Sequence, residues 1–185
     1  MKTLISSKNT ICRELRLSDL PKLYRMYAYL SEETKKYFHP FPEKIFSVAS
    51  LKTWVPLTLS SIKPLRKILR KLLPFSVYIS ICCLCSNEII GFAFIKLRNG
   101  HYGGLGLVIR DEFQGMGIGS KLMTYLITLL LPAERLRKIR LIILADNYRA
   151  IKFFEKFGFR KTKFIREGDT YRGKKYDCVE MWLDL

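Results

Sequence analysis

The stretch Leu105 to Leu130, LGLVIRDEFQGMGIGSKLMTYLITLL, constrains the fold of this chain more than any other. Leu105, Leu107, Val108 and Ile109 read as a buried strand, and from Ile118 the apolar residues Leu122, Met123, Leu126, Ile127, Leu129 and Leu130 recur at helical spacing. Between them lies Gln114-Gly115-Met116-Gly117-Ile118-Gly119-Ser120. Glycines at a helix start leave backbone N–H groups uncovered at the positive end of the helix dipole, a geometry that accepts a pyrophosphate. A tight strand-to-helix connection without a ligand uses the same residues. The lysine-containing phosphate loop does not fit, because no Gly-Lys-Ser/Thr follows. Nor does the dinucleotide fingerprint, whose third glycine and later acidic residue are missing.

Gln114, Gly117 and Gly119 fill a Gln/Arg-x-x-Gly-x-Gly/Ala pattern with a strand before it and a helix after it. In this the chain resembles the Gcn5-related N-acetyltransferase (GNAT) superfamily. The segment Ala145-Asp146-Asn147-Tyr148-Arg149-Ala150-Ile151-Lys152-Phe153-Phe154-Glu155-Lys156-Phe157-Gly158-Phe159 is similar to the second block of that family, an asparagine-led helix closed by Gly-Phe. The resemblance implies an α/β (α+β) fold, a mixed and largely antiparallel central sheet with helices on both faces. It also implies transfer of an acetyl group from the cosubstrate acetyl-CoA to a primary amine, with no metal. Coenzyme A is then expected where the strand ending at Ile109 parts from the strand Lys138 to Ala145. Backbone groups of Leu107, Val108 and Ile109 would pair with the pantetheine amides like an added strand. Main-chain N–H groups from Gln114, Gly115, Met116, Gly117, Ile118, Gly119 and Ser120 would hold the pyrophosphate. Asn147 would bond the pantetheine arm, beside a role as helix cap.

The catalytic pair departs from the pattern. Many members of the family place a glutamate base on the strand before the glycine turn and a tyrosine acid in the helix after the asparagine; the matching positions here are Gly104 and Phe154. Tyr148 is offset from the tyrosine position by nearly two turns and faces elsewhere. Candidate replacements are His101 and Tyr102 at the strand start, Glu32 and Glu33 in the helix that would cover the acceptor, and Tyr171 or Tyr176 in the last hairpin. Two functions follow: an N-acetyltransferase acting on a peptide N-terminus or other small amine, or an inactive acetyltransferase-fold module that binds coenzyme A and an anionic partner.

Charge bears on that partner. The net charge is +17 with a pI of about 9.8, more than the phosphates of one coenzyme explain, so RNA, a ribosomal surface, an acidic protein or an anionic membrane stands against a plain solubilising surface. Lys63 to Leu73, KPLRKILRKLL, sets an apolar stripe opposite an unbroken basic face and reads as a basic amphipathic helix, packed on the core or docked on such a partner. Neither a signal peptide nor a spanning run is visible, and Cys12, Cys82, Cys83, Cys85 and Cys178 read as buried thiols of a reducing compartment, so a cytoplasmic protein is expected. Cys82 and Cys83 fall on opposite faces of one strand, which disfavours a zinc site.

At 185 residues the chain suits one domain, residues 1–185. Expected in order are a strand over Thr10–Leu17, a helix capped at Ser18-Asp19 and a short helix from Ser31; the resemblance implies that this helix-loop-helix covers the acceptor side and that Lys36-Tyr37-Phe38-His39-Pro40-Phe41 lines the pocket, while lid packing uses the same residues. Strands over Phe75–Cys85, Ile89–Arg98 and His101–Arg110 form a meander with Asn99-Gly100 as one turn. After the central helix come a parallel strand at Lys138–Ala145, a helix over Asn147–Phe157 stopped by Gly158, and a hairpin of Phe159–Arg166 with Tyr176–Leu183.

Overall fold

A computed structural model describes residues 10–39, 77–97, 102–130 and 136–185. Its elements are β1 (Ile11–Glu14), α1 (Leu20–Ala28), α2 (Glu32–Tyr37), β2 (Val77–Cys85), β3 (Glu88–Leu97), β4 (Tyr102–Ile109), α3 (Ile118–Tyr125), β5 (Lys138–Leu144), α4 (Tyr148–Glu155), β6 (Arg160–Tyr171) and β7 (Lys174–Asp184). The chain of α3 continues through a π turn at Leu126–Leu130. Seven strands form one sheet in the order β1-β2-β3-β4-β5-β7-β6, antiparallel except for the β4–β5 pair. The expected fold class is therefore the one observed.

The central strands are apolar on both sides because both faces of the sheet are covered. On one face Ile79, Ile81, Cys83, Ala93, Ile95, Ile139, Leu141 and Met181 pack with Ile118, Leu122 and Met123 of α3 and with Ile151 and Phe154 of α4. On the other, Cys82, Phe92, Phe94 and Val108 pack with Leu23 and Met26 of α1, Leu30, and Phe38 after α2. The period-two alternation of side chains thus sends the adjacent Cys82 and Cys83 into different cores.

Several local expectations change. β1 stops at Glu14, and Asp19, although it stands at the start of α1, does not cap it. Its carboxylate instead takes two bonds from the Arg13 guanidinium, at 2.6 and 2.8 Å, and one from the Arg16 backbone N–H at 2.8 Å. The bond from Arg13 holds the Asp19 carboxyl below its ordinary range, against the opposing effect of burial. The last hairpin is longer than the apolar pattern indicates: β6 runs to Tyr171 and turns at Arg172-Gly173, both at positive φ. Polar residues between Arg166 and Tyr176 hid it.

The cysteines also depart from expectation. Cys12 and Cys83 form a disulfide, because antiparallel pairing of β1 with β2 sets them opposite each other with Cα atoms 4.1 Å apart. Cys82, Cys85 and Cys178 are buried free thiols. Burial pushes the Cys82 thiol up to about 12 and the Cys178 thiol up to about 11. Met1–Asn9, the Lys63–Leu73 segment and the Asn99-Gly100 turn lie outside the described residues. No helix among the described residues is long and apolar enough to cross a membrane.

Candidate coenzyme and acceptor site

The site begins where two strands part. β4 pairs with β5 only from Tyr102↔Lys138 to Gly104↔Arg140, whereas β4 stays on β3 as far as Ile109↔Gly91 and β5 stays on β7 as far as Leu144↔Cys178. Beyond Gly104 the facing edges of β4 and β5 have no ladder partner in each other. A wedge-shaped notch results, lined by main-chain donors and acceptors of the kind an extended amide ligand matches. Leu107 and Ile109 turn their side chains toward α3 and Val108 turns toward α1, so the part these three residues can play at the edge is through the backbone. One group there is already engaged, since the Ile109 carbonyl accepts from Gln114 Nε2 at 3.2 Å.

At the wide end of the notch stands the N-terminus of α3. Gly117 occupies the cap position at φ +77° and supplies no side-chain cap, and the first in-helix bond runs from Lys121 N to Gly117 O. The N–H groups of Ile118, Gly119 and Ser120 therefore have no acceptor within the helix. A Cβ on Gly117 would meet nothing within 4 Å, so that position faces open space. Gly119 differs: its Cβ would come within 3.2 Å of the Phe153 ring, so this glycine serves the close packing of α3 on α4. The two glycines of the motif have different physical causes. Gly115 and Met116 are exposed, Ile118 is buried, and Ser120 is exposed in the first turn.

Gln114 braces the turn from its side chain. Besides Ile109 O, its Nε2 lies 3.4 Å from both Thr34 Oγ1 and Asp111 Oδ1, and its Oε1 accepts from Arg149 Nη1 at 2.9 Å. Asn147 caps α4 by accepting from Ala150 N at 3.1 Å, so the capping role expected of it is present.

Over the notch lies α2, held at both ends by residues distant in sequence. On the β4 side, Asp111 accepts from Ser31 N at 2.8 Å, from Ser31 Oγ at 2.9 Å and from Thr34 Oγ1. Burial raises the Asp111 carboxyl, but these bonds outweigh it and leave the group below the usual carboxylate range. On the β5–β7 side, Lys36 Nζ reaches Asp146 Oδ2 at 2.5 Å and lies against the rings of Tyr37 and Tyr176. Glu32 meets Arg172 at 2.6 Å and the Tyr171 hydroxyl at 3.4 Å. His39 Nε2 stands 3.1 Å from Asp169 Oδ2, and its ring lies 5.0 Å from that of Tyr171. No motif announces these pairs, because their members are separated by 77 residues or more.

The catalytic candidates separate. Tyr102 faces the same side of the sheet as Gly104 and rests on Trp182, ring centroids 5.4 Å apart. Tyr171 and Glu32 are engaged with each other at the mouth, Glu33 is exposed on α2, and His101 lies outside the described residues. Phe154 is 7 % exposed and packs on Phe153 and Phe159, while Tyr148 is 70 % exposed, facing away as its offset indicated. A side chain on Gly104 would meet nothing within 4 Å, so this position faces open space. Among the described residues no cluster of His, Cys, Asp and Glu could hold a metal ion.

The model of the Acetyltransferase (GNAT) family matches residues 25–159. The chain belongs to that family. A spermine/spermidine N(1)-acetyltransferase of Bacillus subtilis (strain 168) is 29% identical over 82 residues; the chain spans about half of it, 54%, and the match uses 40% of the chain. A ribosomal-protein-alanine N-acetyltransferase structure from Brucella melitensis superposes with a TM-score of 0.71 at 18% identity, covering 95% of this chain and 99% of that one. The structure of spermidine N-acetyltransferase from Vibrio cholerae in complex with CoA and spermine gives 0.64 at 17% identity, with 96% of each chain covered. These two structures share the fold.

Proposed function

We propose that the chain is one catalytic domain that transfers an acetyl group from acetyl-CoA to a primary amine of low basicity, a protein N-terminus above all, in the cytoplasm. The family uses acetyl-CoA, and the parted strands ending at an uncapped helix N-terminus suit its pantetheine and pyrophosphate. Leu107, Val108 and Ile109 offer the backbone edge, Gln114 to Ser120 the phosphate cradle, and Asn147 a side-chain amide beside it.

The single observation that carries the acceptor class is Gly104, where open space stands at the position of the usual carboxylate. Only a neutral amine attacks the thioester carbonyl; the C–N bond forms, the C–S bond breaks, and the departing thiolate takes up a proton. Without a carboxylate at that position, the supply of neutral amine sets the rate. An α-amino group near pKa 8 is roughly a fifth neutral at pH 7.4, whereas a lysine near 10.4 is about a thousandth neutral. Positioning of amine and thioester in the notch supplies the remaining acceleration. The test is a mass-spectrometric screen of peptides, polyamines and amino sugars, with rate followed against pH. Acetylation of peptide N-termini, with a rate that follows the acceptor's own titration, is expected. Efficient acetylation of ordinary lysine at neutral pH would refute the acceptor class, and coenzyme binding without any product would favour the inactive module.

A further inference from the structure

At the end of the sheet remote from the glycine turn, the register sets Arg140, Trp182 and Arg160 side by side on the face that carries Gly104. A depression of about 430 Å³ opens there, lined by Lys138, Gly158, Arg160, Thr162, Trp182, Leu183 and Asp184. The Trp182 indole is fixed from two sides: its Nε1 donates to Glu180 Oε1 at 2.9 Å and its ring lies on Tyr102. Two of the neighbouring cations are neutralised, Arg140 by Glu180 at 2.5 Å and Lys138 by Asp184 at 3.0 Å. Arg160 and Lys163 are exposed on β6, the edge strand, and form no ion pair among the described residues.

The stretch from β5 to the start of β6 is rich in cations. Residues 137–166 hold ten Lys or Arg and two Asp or Glu, so 10 − 2 = 8 of the net +17 lies in 30 of 185 residues. Arg149, one of the ten, stands at the glycine turn, bonded to Gln114, but the coenzyme does not account for Arg160, which the register places with Trp182 and Arg140 beside Gly104, toward the Tyr102 end of β4, roughly 23 Å from Ile109 at about 3.3 Å per residue. A flat, immobilised ring with cations spaced along a neighbouring edge matches the alternation of base and phosphate in a nucleic-acid strand. An anionic membrane would call instead for an apolar stripe beside the cations.

We propose that this depression binds single-stranded nucleic acid, one base stacking on Trp182 while Arg160 and Lys163 contact the backbone phosphates. The reading stands apart from the proposed acetyl transfer and can fail without it. The experiment uses the full chain with the only other tryptophan replaced, Trp54→Phe, so that emission reports Trp182. RNA and DNA oligonucleotides of about a dozen residues, AMP, and phosphatidylserine vesicles are titrated at several salt concentrations. Both or one of the oligonucleotides should quench the emission, and the pair identifies the preferred sugar. Arg160→Ala with Lys163→Ala should lower the slope of log affinity against log salt by about 1.4, two phosphates at about 0.7 each. Trp182→Leu should weaken binding about tenfold at fixed salt and leave the slope unchanged. Coenzyme affinity of each variant checks its fold, and the pair on the exposed edge decides the matter if Trp182→Leu is unstable. No quenching by either oligonucleotide at about 50 mM salt, an unaltered slope in the edge pair, or binding of vesicles alone would overturn the proposal.

Discussion

The coenzyme half of the site and the acceptor half are built by different means. The proposed coenzyme half is, apart from Asn147, one continuous piece of chain from Leu105 to Ser120, and the groups it offers are main-chain N–H and C=O exposed by a strand that loses its neighbour and a helix that lacks a cap. The acceptor half is made of side chains: Lys36 with Asp146, Glu32 with Tyr171 and Arg172, His39 with Asp169, Ser31 and Thr34 with Asp111. Backbone geometry changes only when glycine or register changes. Side-chain geometry changes with any one of these ten residues.

The comparison predicts where single substitutions act. The largest effect is expected at Gly117, where a valine must hold φ +77° and would project into the open space at the helix end. Calorimetry on Gly117→Val should show coenzyme affinity lowered about a hundredfold, equivalent to losing roughly 3 kcal/mol of charge-assisted backbone bonds. Unchanged affinity would break the assignment of the coenzyme half. Gly119→Val is a poorer probe, because its side chain would press on Phe153 and disturb the fold instead.

A smaller effect, on the order of tenfold, is expected from Gly104→Glu, which places a carboxylate in space that nothing within 4 Å occupies. Turnover of a lysine acceptor should rise while coenzyme affinity stays the same, measured by steady-state kinetics on peptides differing only in the amine. A rise in coenzyme affinity without a rise in turnover would put Gly104 in the wrong half.

The smallest is a pH effect on α2. Hydrogen bonds from Thr34 and Ser31 depress the Asp111 carboxyl below its unfolded value, so its contribution is fully present above roughly pH 4 and lost as pH falls through the lower folded value. The protection factors of the α2 amides, which remove the intrinsic pH dependence of hydrogen exchange, should fall in that acid range in the native chain. Asp111→Asn should exchange faster already at neutral pH, with little further change on acidification; an identical pH response in the variant would show that Asp111 does not hold the helix.

How much of this was legible beforehand follows from the same contrast. Gln114, Gly117 and Asn147 lie in local patterns, and each does locally what its residue type dictates: bracing a turn, adopting positive φ, capping a helix. The lack of an ionisable group at Phe154 and Gly104 was equally readable, since it follows from residue type and needs no coordinates. Not readable were the division of labour between Gly117 and Gly119, the Cys12–Cys83 disulfide, or the use of Asp19 by Arg13. Each depends on a neighbour that the sequence does not name. The sequence by itself determined the order of strands and helices, the family and the glycine turn at the start of α3, because these rest on periodicity and on backbone freedom within a few residues. Only the tertiary structure decided where β4 leaves β5 and which side chains close over the gap, because sheet register and contacts across a hundred residues are set by the packing of two cores at once.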